Sequence, residues 1–102
     1  MNRNEITYKV KEAVRSIDPN AKIILFGSRA RGDNNKQSDW DFLILTSFRI
    51  DENKKKQIRE KLIDTELEAE EVISTLIYSQ SSWQDYLFTP LYQNITKDGV
   101  EL

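Results

Sequence analysis

Lys22 to Leu45 reads KIILFGSRARGDNNKQSDWDFLIL: an apolar run, a Gly-Ser turn, two arginines, a polar loop, then two aspartates with one residue between them at the head of a second apolar run. Ile23, Ile24, Leu25 and Phe26 form a short β-rich segment bounded by Gly27, the pattern of a buried strand ending in a tight turn. Gly27 has no Cβ, so backbone can approach a ligand closely there, and φ can be positive. Ser28 follows where a helix would begin, and its hydroxyl with the next free amides makes an anion-binding corner. Arg29 and Arg31 add positive charge, and the combination suits a phosphate.

The loop Asp33 to Gln37 leads into a second strand, Ser38 to Leu45. Side chains alternate along a strand, so Asp39 and Asp41 share one face, about 6 to 7 Å apart along the chain. Two carboxylates so placed repel unless a cation lies between them. Oxygen-only ligands favour a hard ion, Mg²⁺ above all, with water and substrate phosphates completing its shell. A phosphate-holding turn beside such a pair suits metal-assisted phosphoryl or nucleotidyl transfer.

Gly27-Ser28-Arg29-Ala30-Arg31-Gly32 followed by Ser38-Asp39-Trp40-Asp41 and an apolar strand resembles the minimal nucleotidyltransferases of the DNA polymerase beta superfamily. Each half is short and common alone; in this order and spacing, both at strand ends, they are specific. The resemblance implies the nucleotidyltransferase fold and assigns Gly27, Ser28 and Arg31 to the nucleotide. It makes Asp39 and Asp41 catalytic ligands of Mg²⁺. It also implies a nucleoside triphosphate substrate, ATP first, and a helical partner protein encoded nearby, as in toxin–antitoxin pairs. Arg31 matches the basic position of the motif and Arg29 a variable one. Arg31 either neutralises phosphate charge or pairs with Asp33 or another surface carboxylate.

The chain departs from the family in one place. Active members carry a third carboxylate in the strand after the crossover helix, and the apolar pattern puts Ser74 there. A serine is neither a charged ligand nor a base for an attacking hydroxyl. Glu71 is the nearest substitute. Two classes stay open: a nucleotidyltransferase that moves a nucleoside monophosphate from a triphosphate to a hydroxyl, releasing pyrophosphate, or a fold that keeps nucleotide or partner binding, antitoxin-like, without turnover.

A length of 102 residues gives room for a single domain, residues 1–102, and 38% hydrophobic with 31% charged residues fits a globular chain in water. No apolar run reaches membrane length, and the polar, charged start carries no signal peptide, so a cytoplasmic protein is expected. With no Cys and no His, disulfides, thiolate sites and imidazole catalysis are excluded. The net charge of −2 gives no global attraction to nucleic acid, and the lysines after Glu52 are interleaved with acids, as on a solvated helix face.

In chain order, Asn2 to Ile17 has helical spacing of apolar residues and an Asn2/Glu5 capping box. Asp51 is a candidate N-cap for a crossover helix from Glu52 to Glu68 that buries Ile58, Leu62, Ile63 and Leu67. Glu71 to Ser79 reads as a third strand. A short helix is expected from Ser82 to Phe88, capped at Ser81, and a last one from Pro90 to Lys97 behind Thr89. The expected architecture is α+β, an α/β sandwich: a small mixed β-sheet with helices packed on one face and the other open around Asp39 and Asp41. Trp40 faces away from the aspartates into the core. Trp83 and Tyr86 either pack in the core, stack a base or form a partner surface.

Overall fold

The computed structural model describes residues 1–102 and is built around β2 (Trp40–Thr46), which lies inside a four-stranded sheet of order β3-β2-β1-β4. β1 (Lys22–Phe26) pairs antiparallel with it, Phe26 opposite Asp41, and β3 (Ile73–Ser79) runs parallel, with Ser74 opposite Asp41. The antiparallel pair needs only the turn and loop between its strands. The parallel pair needs a crossover, supplied by the long helix α3 (Glu52–Ala69).

Alternation along β2 divides the molecule. Trp40, Phe42 and Ile44 enter a core with Ile23 and Leu25 of β1, Ile73 and Ile77 of β3, Ile6, Val10 and Val14 of α1 (Arg3–Arg15), and Ile58 and Leu62 of α3. Each such side chain taken fully out of water contributes about 1.5 to 3 kcal/mol. α1 begins as expected: Asn2 Oδ1 accepts from the Glu5 amide at 2.9 Å, and Glu5 reaches back to the Asn2 amide.

The opposite face is not left to the aspartates alone. Leu43 and Leu45 pack there on Trp83 and Ile95, with Tyr78, Tyr86 and Tyr92 around them. These come from α4 (Gln80–Trp83), a 3₁₀ turn (Gln84–Tyr86) and α5 (Pro90–Asp98). The expectation of helices on one face is therefore corrected: α1 and α3 cover one face, and the C-terminal elements cover the far half of the other. Apolar residues at both parities of β2 demand this, since Leu43 and Leu45 cannot share a face with Phe42 and Ile44. The pair Trp83 and Tyr86, with ring centroids 5.7 Å apart, belongs to that second core.

Three further details differ from expectation. Ile63 and Leu67 are 49% and 73% exposed, and α3 instead buries the narrower stripe Ile58, Leu62, Thr65 and Ala69 that fits between α1 and the sheet. The helix after β3 starts two residues early, because Ser79 and not Ser81 accepts from the Ser82 amide. A fourth strand, β4 (Val100–Glu101), pairs antiparallel with β1. As expected, Asp51 caps α3 through the Lys54 amide and Thr89 caps α5.

One buried carboxylate fastens the top of the sheet. Asp18, 2% exposed, accepts from the Ser47 amide and hydroxyl, both at 2.7 Å, and from the Asn20 amide at 3.1 Å. Removing the acceptor strands three donors, so Asp18→Ala is expected to lower the unfolding free energy by about 3 kcal/mol, read from the urea midpoint. A loss below about 0.5 kcal/mol would mean that water replaces the carboxylate fully.

Candidate active site

Gly27 ends β1 with φ 76° and ψ −160°, a conformation that side-chain-bearing residues rarely adopt. A Cβ there would lie 2.4 Å from Oδ2 of Asp41, so the Asp41 carboxylate rests against the bare Gly27 backbone. The single helical turn α2 (Ser28–Arg31) follows, with the Ala30 and Arg31 amides both bonded to the Gly27 carbonyl at 3.1 Å. The amides of Ser28 and Arg29, at the start of that turn, have no intrahelical acceptor. Gly32 closes the turn in the left-handed region.

Asp39 precedes β2 and is exposed; Asp41, two residues on, is half-buried on the same face. Burial pushes the Asp41 carboxyl above the ordinary carboxylate range, Asp39 pushes it further, and Arg31 offsets part of this. The parallel register sets Ser74 beside the pair, and the Ser74 hydroxyl donates to Asp39 Oδ2 at 3.3 Å. No third acidic, His or Cys side chain joins them, for no group of three such residues able to hold a metal exists in the chain. Two carboxylates and a hydroxyl on an open shelf could hold one hard cation only if water or phosphate oxygens completed its shell.

Glu71 lies elsewhere. It reaches Arg29 at 3.6 Å, and Arg29, whose side chain is 12% exposed, also donates to the Ser38 carbonyl at 3.0 and 3.3 Å and lies 4.5 Å from the Trp40 ring centroid. Arg29 thus fixes the backbone just ahead of Asp39, a role that a motif position of free identity did not announce. Ser38 serves the loop, its hydroxyl accepting from the Asn35 amide at 3.0 Å. Arg31 is on the surface, paired with Asp33 at 3.0 Å and with Asp98 of α5 at 3.8 Å, and its pKa is raised chiefly by Asp33. Asp98 was not expected near the site; only the fold of α5 across the sheet brings it there.

Comparison with known proteins agrees with this fold. Three solved structures superpose over nearly the whole chain. The toxin–antitoxin with AMP-PNP has a TM-score of 0.67 at 22% identity, over 99% of this chain and 72% of that one. The toxin–antitoxin MntA-HpeT mutant Y104A gives 0.64 at 22%, over 100% and 72%. The MntA-HpeT mutant D39ED41E gives 0.65 at 20%, over 99% and 72%. No curated protein matches the chain. No helix is long and apolar enough to cross a membrane. The sequence profile of the family described as "Nucleotidyltransferase domain" matches residues 7–98, and with the Gly-Ser turn and the aspartate pair lying together inside that span, the chain belongs to the nucleotidyltransferase domain family of the polymerase beta-like superfamily.

Proposed function

We propose that the protein binds a nucleoside triphosphate, ATP first, at the Gly27-Ser28 turn and transfers its nucleoside monophosphate to a hydroxyl on a partner protein. The observation that carries this is the Asp41 carboxylate lying against the bare Gly27 backbone, which brings the phosphate turn and the carboxylate pair into one site. Gly27 and Ser28 present amides to phosphate oxygens, and Arg31 offsets their charge once it exchanges Asp33 or Asp98 for them. Asp39 and Asp41 would hold Mg²⁺, which when bound supplies neutralisation of phosphate charge and polarisation of the α-phosphorus. The acceptor oxygen bonds to the α-phosphorus as the bond to the bridging oxygen breaks; pyrophosphate leaves with that electron pair, and the acceptor's hydroxyl proton passes to water.

The AMP-PNP in one similar structure supports the nucleotide, and the toxin–antitoxin assemblies support a protein acceptor. Leu87 and Phe88, 45% and 87% exposed at the end of the second core, offer apolar surface of the kind a helical partner covers.

A specific observation favours the second reading, a binding module with slow turnover. The position from which a carboxylate would take the acceptor's proton is Ser74, which donates a hydrogen bond and accepts no proton at neutral pH. Labelled nucleotide incorporation into the co-expressed neighbouring protein tests both. Slow transfer is expected from the native chain, and Ser74→Asp is expected to raise it about tenfold. Fast native transfer that Ser74→Asp abolishes would defeat the placement of Ser74; no incorporation by either protein would leave the binding module standing.

A further inference from the structure

The two edges of the sheet are treated differently. On one side β4 is only two residues long. On the other, β3 presents the seven residues ISTLIYS, paired with no strand but β2, so that its outer edge faces no neighbouring strand. Natural sheets blunt such edges with lysine, proline, a bulge or a very short strand, because an open flat edge is a template for another strand. β3 has no charge and no proline. Its flank is apolar as well: Val72 is 57% exposed, and the half-exposed Ile63 of α3 stands over a groove of about 330 Å³ between α3 and β3.

The charges that line this groove point to its occupant. Arg59 and Glu66 lie on the same side of α3, on either side of Ile63 and about 10 Å apart along the helix axis. Neither takes part in any of the chain's ion pairs. A two-fold axis through the edge, perpendicular to the sheet, sets two β3 strands antiparallel and two α3 helices side by side in opposite directions. Arg59 of each copy then faces the Glu66 position of the other, and Ile63 meets its own symmetry mate. This is the self-complementarity that an isologous contact requires.

We infer that a second copy of this chain docks on the edge formed by β3 and α3, joining two four-stranded sheets into one continuous sheet. Both aspartate sites then lie on the same side of the joined sheet, since the axis keeps its faces in common. Ser74, on that face of β3, sits close to the joint, so the neighbouring copy forms one wall of the shelf beside it. The contact is independent of what the aspartates do.

Sedimentation velocity on the full chain, from low to several hundred micromolar, tests it. The expected result is a concentration-dependent rise from 12.0 kDa toward twice that mass, with amide exchange at residues 73–79 slowing in parallel. Arg59→Glu places like charges across both symmetric contacts and is expected to raise the dimer dissociation constant about tenfold, as is Glu66→Arg, while the double exchange restores it. Ile63→Glu, at an exposed helix position, keeps the far-ultraviolet dichroism of the native chain and removes the dimer. A chain that stays monomeric throughout, leaving the edge to a strand of other sequence, would overturn the inference. So would a dimer that Ile63→Glu and Arg59→Glu leave intact.

Discussion

Gly27→Val is expected to abolish nucleotide binding and to cost about 3 kcal/mol of stability. Two effects add. The backbone at φ 76° lies where a β-branched residue is strained, which alone costs about 1 to 3 kcal/mol. The new Cβ would then sit 2.4 Å from Asp41 Oδ2 and 3.3 Å from Cγ, so the carboxylate must move from its place beside the turn. Gly27→Ala carries the strain and the Cβ overlap without the branched methyls, and is expected to lose about 2 kcal/mol and still bind poorly. Chemical denaturation gives the stability and calorimetric titration the binding. If Gly27→Val kept native affinity, the phosphates would have to sit away from the turn.

Asp41→Asn is expected to leave the fold intact and to remove Mg²⁺-dependent nucleotide binding altogether. The Asp41 carboxyl is raised above its ordinary range, first by burial and then by Asp39. A group whose folded pKa exceeds its unfolded value favours the folded chain fully below the unfolded pKa, and that contribution is lost as pH rises through the folded one. The metal-free native protein therefore loses this contribution on going from acid to neutral pH, whereas Asp41→Asn does not. Without Mg²⁺ at neutral pH the variant should melt no lower than the native chain; with Mg²⁺ and nucleotide, only the native chain should gain stability. A variant that melts well below the native chain in the absence of Mg²⁺ would show that Asp41 holds the fold through contacts other than the repelling pair.

The parts of this fold that could be read from sequence are those fixed by neighbours in the chain. Ile23 to Phe26 and Phe42 to Leu45 announce strands by composition, and Asn2, Asp51 and Thr89 announce helix starts because a cap bonds within three residues of itself. The shared face of Asp39 and Asp41 follows from alternation alone. What could not be read depends on contacts across the chain. Asp18 meets Ser47 only because β2 ends over the turn after α1, and Arg29 meets Glu71 only because β3 lies beside β2. β4 is too short to show any period. The burial of α3 is not legible because Ile63 and Leu67 are apolar at helical spacing, yet Ile63 sits one step around the helix from the buried stripe and Leu67 lies on the far side from it. The second core was hidden for a related reason: Leu43 and Leu45 showed that both faces of β2 need cover, but not which segment supplies it.

The most direct test of the central claim, that the Gly27 turn and the Asp39/Asp41 pair form one Mg²⁺-nucleotide site, is calorimetric titration of the purified chain with ATP in the presence and absence of Mg²⁺, alongside Asp41→Asn. The predicted result is binding by the native chain that requires Mg²⁺ and is lost in the variant; affinity that is indifferent to Mg²⁺ and unchanged by Asp41→Asn would contradict it.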